Sequence, residues 1–169
     1  MNIILFGPPG AGKGTQADNL KKKFNLFKIS SGDLLREEIK RKSVLGNKVE
    51  SELNQGLLVP DAIINELIED VASKEKYFDR LIFDGYPRNL NQAQNLDNLL
   101  KKNKQKISCV LSLKVNEDVI IKRVLGRQVC SKCGLTFNEF FNPPKKENYN
   151  CELKFLQKRS DDNEITIKN

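Results

Sequence analysis

A glycine-rich loop close to the N-terminus limits what this chain can fold into more than any other feature. Residues 3 to 6, Ile-Ile-Leu-Phe, are typical of a short buried strand, and residues 7 to 15, Gly-Pro-Pro-Gly-Ala-Gly-Lys-Gly-Thr, follow directly. Where such a loop joins a strand to a helix, its backbone N–H groups can surround phosphate oxygens, and Lys13 would reach the outer phosphates. The common pattern has a hydroxyl residue directly after the lysine, whereas here Gly14 precedes Thr15. We expect a nucleotide-phosphate site here rather than a merely flexible loop.

Apolar patterns predict that strands and helices alternate along most of the chain. Besides residues 3 to 6, buried strands are predicted at Phe27-Lys28-Ile29, Leu81-Ile82-Phe83 and Cys109-Val110-Leu111-Ser112-Leu113. Helices are predicted around Leu20 and Phe24, over Asp33 to Lys42, from an N-capping Asp61 onwards, and at about 91 to 102 and 117 to 125. Gly46 and Gly56 are interpreted as breaks. This order favours the α/β class, with a parallel sheet flanked by helices, and residues 126 to 162, which have no helical period, are predicted to form a small inserted unit.

Composition excludes several kinds of function. The 169 residues contain no histidine, so mechanisms that need an imidazole as base or metal ligand are excluded. The net charge of +7 comes mainly from lysines spread along the whole chain, which indicates a solvated surface rather than a nucleic-acid partner. No apolar run reaches the roughly 18 residues of a membrane span, and the N-terminus has no secretory leader pattern. We therefore expect a cytoplasmic monomer without a membrane or nucleic-acid partner.

Three segments together resemble the nucleoside monophosphate kinases. The loop ends in Gly-Lys-Gly-Thr, as in that family, and residues 29 to 36, Ile-Ser-Ser-Gly-Asp-Leu-Leu-Arg, are similar to the AMP-binding segment of adenylate kinases. Residues 84 to 88, Asp-Gly-Tyr-Pro-Arg, resemble the family's DGFPR segment. The resemblance implies a P-loop NTPase-type core over residues 1–29, 60–125 and 163–169, a small helical AMP-binding subdomain over 30–59 and a lid over 126–162.

The resemblance also implies which residues hold AMP. Arg36 and Arg88 would face the AMP phosphate, while Gln92 would read the adenine. Ser31 stands where threonine is more familiar and keeps the hydroxyl. Taken singly, neither arginine is persuasive, because an exposed arginine often pairs only with acidic neighbours. The full implied set is Ser31, Arg36, Leu57, Leu58, Val59, Gly85, Tyr86, Pro87, Arg88, Gln92 and Arg159.

A second implied set holds ATP and carries the reaction. Arg123 and Arg127 are four residues apart on a predicted helix, so they would share one face and converge on one nucleotide. Asp84 ends a predicted strand and is expected to organise hydrated Mg²⁺, unless it merely forms a turn before Gly85. The ATP set is Gly10, Ala11, Gly12, Lys13, Gly14, Thr15, Arg123, Arg127, Thr136 and Phe137. The catalytic set is Lys13, Asp84, Arg88, Arg127 and Arg159, with Asp161 and Asp162 at the lid hinge.

The cysteines suggest a structural metal. Cys130 and Cys133 form a C-x₂-C pair, and Cys151 follows after a loop, a spacing that in a reducing compartment favours zinc over disulfides. Long-lid adenylate kinases have a second pair, but Lys154 stands where its last ligand belongs. Glu152, Glu147 or a water would complete the site, or else the lid holds together without metal. Cys109, within an apolar strand, is interpreted as a buried core thiol.

The function that the resemblance implies is Mg²⁺-dependent, reversible phosphoryl transfer from ATP to AMP, giving two ADP, with a role in purine nucleotide interconversion and energy homeostasis. The long lid argues against the UMP/CMP kinases, which have a short one. The residues also permit a nucleotide-binding protein without catalysis, or a zinc-knuckle nucleic-acid binder. Family members continue for several tens of residues beyond position 169, so we expect residues 1 to 169 by themselves to be a poor or inactive enzyme.

Overall fold

The computed structural model describes residues 1–54, 59–159 and 162. In chain order the elements are β1 (Asn2–Phe6), α1 (Lys13–Phe24), β2 (Phe27–Ser30), α2 (Ser31–Arg41), α3 (Val44–Asn54), α4 (Asp61–Ala72), β3 (Leu81–Asp84), α5 (Leu90–Lys102), β4 (Ile107–Ser112), α6 (Glu117–Leu125), β5 (Arg127–Cys130), β6 (Thr136–Asn138) and β7 (Leu156–Gln157). Contacts divide the chain into two units. The first comprises Met1–Phe6 and Lys13–Ser112, and the second comprises Gly7–Gly12 and Leu113–Asn169.

The first unit is built on a four-stranded parallel sheet in the order β2-β3-β1-β4. Successive residues of a strand point to opposite faces, so each strand can serve two cores. On one face Ile3 and Ile82 pack against Ala17 of α1. On the other face Ile4 and Phe83 pack against residues of α4 and α5. Helices therefore lie on both faces, and the predicted α/β class with a parallel sheet is confirmed.

The strand β4 departs from the expectation of a buried strand. Val110 is 55% exposed, and the side chain of Cys109 is only partly buried. The reason is that, among the described strands, β4 lies at the edge of the sheet and pairs only with β1. The interpretation of Cys109 as a buried core thiol is therefore confirmed only in part: its side chain packs against the cluster around Ala17 but is partly exposed.

The region between β2 and α4 begins with two helices where the sequence predicted one. Ser30 caps α2 by accepting a hydrogen bond from the Asp33 backbone N–H at 3.3 Å, so this helix starts before the predicted Asp33. The next helix, α3, runs through Gly46, which was interpreted as a break. A Cβ at Gly46 would overlap the carbonyl oxygen of Glu38, so a glycine lets α3 approach α2 closely. The break predicted at Gly46 is therefore wrong.

Polar side chains connect the strands at the amino edge of the sheet. The side chain of Asn2, which is fully buried, accepts from the Leu81 N–H at 3.1 Å and donates to Gln105 Oε1 at 3.2 Å and to the Lys106 carbonyl at 3.1 Å. Gln105 Oε1 also accepts from the Asp79 N–H at 2.8 Å. These bonds join the beginnings of β1, β3 and β4. Within the described part of the chain, Gln105 Nε2 is the one buried side-chain nitrogen or oxygen without a hydrogen-bond partner.

The second unit carries α6 and a three-stranded antiparallel sheet in the order β6-β5-β7. Its small core consists of Cys130, Phe137 and Tyr149, with Cys151, Phe155 and Leu156 packed against them. This sheet lies within the predicted inserted unit, whose limits at 126 and 162 stay a prediction. In the ranges that the structure describes, none of the helices has the length and apolar character needed to cross a membrane.

Candidate functional site

The carboxyl edge of the parallel sheet gathers polar groups of the first unit. Asp84, the last residue of β3, is in register with Leu5 on one side and with Ser30 on the other. Lys13 begins α1, so residues 13 to 15 of the predicted loop are helical, and the glycine-rich loop itself is Gly7–Gly12. Polar ligands commonly bind at this edge of a parallel sheet, because loops and helix N-termini meet there. The strand, loop and helix predicted around Lys13 are therefore confirmed.

Asp84 is a half-buried carboxylate on which the charges of two lysines act. Its side chain lies beside the start of α1, since a Cβ added at Gly14 would be 3.7 Å from Asp84 Oδ2. Burial raises the pKa of Asp84, while the charges of Lys13 and Lys28 lower it, and burial outweighs them. A carboxylate that is costly to keep charged and that lies beside the start of α1 suits a hydrated divalent cation.

Ser31 and Arg88 meet at Gly85. The Ser31 hydroxyl donates to the Gly85 carbonyl at 2.8 Å, and Arg88 Nε donates to the same oxygen at 2.9 Å. Arg36, on the next turn of α2, pairs with Asp33 at 2.6 Å and lies over Gly32. Arg36 and Arg88 are both exposed, so their guanidinium groups can reach an anion in solution. The structure thus brings four of the predicted AMP residues, Ser31, Arg36, Gly85 and Arg88, to one loop and the neighbouring helix start.

The side chains of Tyr86 and Gln92 are buried and form hydrogen bonds with other residues of the protein. Tyr86 is 1% exposed, and its hydroxyl donates to Asn65 Oδ1 at 2.7 Å, so only its backbone could contact a ligand. Pro87, which follows it through a cis peptide bond, is also buried. Gln92 is 2% exposed; its Oε1 accepts from the Arg88 N–H at 2.8 Å, and its Nε2 donates to Asp61 Oδ1 at 2.6 Å. The amide offers two N–H donors and two lone pairs, so these two bonds leave one N–H and one lone pair of Gln92 unused.

Asp61 does not cap α4, which corrects the expectation from the sequence. The N-cap is Pro60, which has no side chain to accept a hydrogen bond, and Asp61 is the first helical residue. Its carboxylate instead accepts from Asn89 Nδ2 at 3.0 and 3.1 Å, in addition to Gln92. Asn89 itself caps α5 by accepting from the Gln92 N–H at 2.9 Å. Sequence reasoning missed Asn89, although an asparagine just before a helical pattern is a usual cap signal.

In the second unit, the loop Gly7–Gly12 lies against α6. Gly10 has a φ of +76°, and a Cβ at this position would be 2.8 Å from Val124 Cγ2, so only glycine fits without strain. Arg123 Nη1 donates to the Ala11 carbonyl at 3.4 Å. The Arg123 guanidinium also lies over the ring of Phe141, 5.7 Å from its centre. The structure therefore brings Arg123 to the loop, and no sequence pattern indicated its contact with Phe141.

Arg127 is not on the same helix as Arg123, so the predicted shared helix face is wrong. The helix α6 ends at Leu125 and is capped by Gly126, whose N–H donates to the Lys122 carbonyl at 3.0 Å. Arg127 begins β5. Its Nε donates to Asp162 Oδ2 at 2.8 Å, and a second bond joins Nη2 to Oδ1. The Asp162 side chain is 1% exposed, so this ion pair is partly buried.

The remaining predicted nucleotide residues differ in their exposure. Thr136 is exposed at the start of β6, whereas Phe137 is 4% exposed in the small core, which leaves its backbone for a ligand. Arg159 is half-buried, and its carbonyl accepts from the Asp162 N–H at 3.2 Å. Val59 is half-buried ahead of α4. Three predicted residues lie outside the described residues: Leu57, Leu58 and Asp161.

The three cysteines of the second unit converge. The Sγ atoms of Cys130, Cys133 and Cys151 all lie within 4.8 Å of one another. Lys154, which stands at the position of a fourth ligand, pairs instead with Glu152 at 2.7 Å. Neither Glu152 nor Glu147 joins the group of cysteines among the described residues. Three convergent thiols fit a thiophilic metal, whose remaining position would have to be filled from solvent or by rearrangement.

Tyr149 is a neighbour of this cluster that the sequence did not indicate. Its hydroxyl lies 3.3 Å from Cys130 Sγ and donates to the Glu152 carbonyl at 2.9 Å. Burial raises the pKa of Cys130, but hydrogen bonds from Tyr149 and from backbone N–H groups outweigh it, so the pKa is lowered. Burial and the neighbouring thiols raise the pKa of Cys151. The cluster therefore favours a first thiolate at Cys130, the form that binds metal.

Comparisons with known proteins agree on one family. A family model described as adenylate kinase matches residues 5–169. The adenylate kinase of Pelagibacter ubique is 51% identical over 168 residues, which covers 99% of this chain and 79% of the relative. The adenylate kinase of Caldicellulosiruptor bescii is 44% identical, with 99% and 79% covered, and that of Clostridioides difficile is 42% identical, with 99% and 78% covered. The similarity therefore extends far beyond the glycine-rich loop.

Proposed function

This chain belongs to the adenylate kinase family, and from that premise we propose which of its residues carry phosphoryl transfer from ATP to AMP. The protein is a phosphotransferase of the adenylate kinase type. One observation carries our assignment of its residues: Lys13 begins α1 directly after the glycine-rich loop, and its charge acts on the half-buried carboxylate of Asp84. A cation and a cation-binding acid are thus near each other where a triphosphate would be held.

The acceptor AMP is assigned to the loop after β3 and to α2. Arg88 and Arg36 are exposed, and both are tethered by neighbouring groups, Arg88 to the Gly85 carbonyl and Arg36 to Asp33. A guanidinium can bind two phosphate oxygens at once, so these two side chains would hold the AMP phosphate. Ser31 fixes the loop to the helix, and Gln92 would read the adenine. The full proposed set keeps Leu57, Leu58, Val59, Gly85, Tyr86, Pro87 and Arg159, with Tyr86 and Pro87 acting through their backbone.

The donor ATP is assigned to the glycine-rich loop and the arginines near it. Backbone N–H groups of residues 10 to 15 would surround the phosphates, with Lys13 on the outer ones. Arg123, which contacts Ala11 and stacks on Phe141, would lie against the adenine. Arg127 would reach the phosphates after leaving Asp162, and Thr136 and the backbone of Phe137 would complete the site. Asp161 and Asp162 would act as the hinge of a closing lid.

The reaction needs little acid–base chemistry from the protein. An oxygen of the AMP phosphate forms a bond to the γ-phosphorus of ATP, while the bond from that phosphorus to the β,γ-bridging oxygen breaks, so two ADP result. The attacking oxygen is already anionic, which agrees with a chain that has no histidine. Lys13, Arg88, Arg127 and Arg159 would neutralise the charge of the two polyanions. Asp84 would hold Mg²⁺, which when bound to ATP supplies further charge neutralisation.

We also assign a structural zinc ion to Cys130, Cys133 and Cys151, with the fourth ligand supplied by water or by movement of Glu152 or Glu147. The support is the convergence of the three Sγ atoms. Structural zinc sites contribute directly to folding, so the metal would stabilise the small core around Tyr149. The proposal is completed by a monomeric state and by the limits of the core, the AMP-binding subdomain at 30–59 and the lid at 126–162.

The test compares AMP binding by Arg88→Ala and Arg80→Ala in calorimetry, which needs no turnover, and then KM for AMP in an assay that couples ADP formation to a visible signal. Arg80 is a matched control in the same unit, because its guanidinium binds only the Asn25 carbonyl among the contacts seen. We expect Arg88→Ala to raise KM for AMP by about tenfold or more, and Arg80→Ala to leave it unchanged. UMP and CMP are tested as alternative acceptors. A preference for UMP or CMP, or equal effects of the two substitutions, would contradict the proposal.

A further inference from the structure

A hydrogen-bonded chain of side chains joins the N-terminus of α4 to that of α5. Asp61, on α4, accepts from Gln92 Nε2 at 2.6 Å and from Asn89 Nδ2 at 3.0 and 3.1 Å. Gln92 Oε1 accepts from the Arg88 N–H at 2.8 Å. The Gln92 oxygen is therefore bound by a hydrogen-bond donor, and the Gln92 nitrogen is bound by a hydrogen-bond acceptor. The short bond to Asp61 is charge-assisted, because its acceptor is a carboxylate.

This arrangement fixes which way round the amide lies. If the amide of Gln92 turned by 180°, its oxygen would face the carboxylate of Asp61, and its NH₂ group would face the backbone N–H of Arg88. Both contacts would be repulsive, and both partners would lose a hydrogen bond in a buried site. Gln92 is 2% exposed, so water can do little to compensate. Asp61 and the Arg88 N–H together thus allow one orientation.

The engaged atoms leave one N–H and one lone pair of the amide unused. Because Gln92 is 2% exposed, a base would reach these two positions only after the groups that cover the amide move aside. In the observed orientation, the unused N–H of Nε2 can donate to a ring nitrogen of the base. The unused lone pair of Oε1 can accept from an exocyclic amino group of the base. Adenine offers that combination at N1 and N6. A 6-oxopurine offers the reverse, with an N–H at the ring position and a carbonyl oxygen at the exocyclic position, and would need the turned amide.

We propose that Asp61 is a positioning residue for acceptor specificity, which selects a 6-aminopurine monophosphate over a 6-oxopurine monophosphate by holding the Gln92 amide in one orientation. This inference rests on the proposed reading of adenine by Gln92. It adds a role for a residue that lies on a different helix, 31 positions away from Gln92 in the chain. A simpler interpretation is that Asp61 only ties α4 to α5, in which case its loss would lower stability without changing which base is preferred.

The test measures binding of AMP and of inosine monophosphate to the whole chain by calorimetry, with thermal unfolding in parallel. Asp61→Ala frees the amide, so we expect AMP affinity to fall and the AMP-to-inosine preference to narrow at least about tenfold. Asp61→Asn can accept from or donate to Gln92, so only the Arg88 N–H still opposes the turned amide, and the preference should narrow about threefold or more. The control is Asp70→Ala on the same helix, where the exposed Asp70 pairs only with Lys74 among the contacts seen, at 3.1 Å, and no change is expected.

A double-substitution cycle shows whether Asp61 acts through Gln92. In a Gln92→Leu background, Asp61→Ala should no longer change the base preference, because no amide remains to turn. The proposal is overturned if Asp61→Ala and Asp61→Asn weaken both ligands equally, or if the preference still changes in the Gln92→Leu background. Should Asp61→Ala fail to fold, Asp61→Asn decides the matter alone. A wild-type chain that does not bind AMP would refute the proposed function instead, which is a separate outcome.

Discussion

The hydroxyl of Ser31 donates a hydrogen bond of 2.8 Å to the carbonyl oxygen of Gly85. The two residues are 54 positions apart, and Ser31 is 3% exposed. Because the same carbonyl accepts from Arg88 Nε, this bond makes the start of α2 and the loop after β3 a single support. The residues proposed to hold AMP are thus positioned relative to each other before any ligand arrives.

Ser31→Ala should weaken this support. We expect the free energy of unfolding to fall by about 1 kcal/mol, because a half-buried carbonyl loses one of its partners, and KM for AMP to rise several-fold. Ser31→Thr keeps the hydroxyl and should retain most of the AMP affinity. Denaturant unfolding and initial rates at varied AMP check both effects. An unchanged KM in Ser31→Ala would show that the bond is structural only.

Gly10→Ala should damage the glycine-rich loop. An alanine there must adopt a φ of +76° and would also press on Val124 Cγ2 at 2.8 Å, so we expect a loss of about 2–4 kcal/mol of stability and at least tenfold weaker ATP binding. Gly134→Ala is a matched control, since Gly134 has a φ of +74° but nothing within 4 Å of the added Cβ. It should cost only the backbone strain and leave ATP binding intact. Equal losses in both variants would contradict the crowding argument.

Asp84→Asn should separate stability from activity. Burial raises the pKa of Asp84 in the folded state, so between about pH 4 and that raised pKa the folded chain binds more protons than the unfolded chain. The free energy of unfolding contributed by Asp84 therefore falls as the pH rises through this window. Asparagine is neutral throughout, so in EDTA the variant should melt higher than wild type at pH 7, and the difference should shrink towards pH 4. A lower melting temperature at pH 7 would contradict this reasoning.

The same variant is expected to lose activity. If Asp84 holds Mg²⁺ as proposed, the amide can no longer bind the cation as a carboxylate does, and kcat should fall about a hundredfold or more. The measurement is the coupled ADP assay over a range of Mg²⁺ concentrations. Activity that returns to the wild-type value at high Mg²⁺ would indicate a weaker role in binding the cation only.

Removing zinc should destabilise the lid. We expect about one zinc ion per chain in metal analysis of the purified protein, and a melting temperature that falls by several degrees after chelation. Cys133→Ser should lose the metal, because serine does not supply a thiolate. Cys109→Ser is the control, since Cys109 lies in β4 outside the cluster. Equal zinc content in both variants would show that the three lid cysteines are not the ligands.

Local signals were sufficient where one strong pattern determined both the fold and the chemistry. The apolar run before Gly7 and the glycines and lysine after it predicted β1, the loop and α1, and all three are confirmed. The helix beginning at Asp61 was also confirmed, because its apolar stripe is regular. In these segments, neighbours in the sequence are also the ones that decide the structure.

Contacts between distant segments explain what the sequence could not reveal. Gly46 was interpreted as a break because an isolated glycine usually weakens a helix, whereas its use here depends on Glu38 in another helix. Likewise, nothing near Asp61 indicates that its carboxylate serves Asn89 and Gln92. The error over Arg127 was different, since Gly126 is a usual helix-ending signal that could have been used.

The polar links around Asn2 have a practical consequence for protein engineering. They fasten the beginnings of β1, β3 and β4, whereas Asp84 and Ser30 lie at the ends of their strands. Within the first unit, these polar links at the strand beginnings are therefore separate from the residues at the strand ends that are proposed to meet substrate. Gln105 has a buried amide nitrogen with no hydrogen-bond partner among the described residues. Substitution of Gln105 is therefore a suitable first step towards a more stable variant whose proposed substrate-binding residues are unchanged.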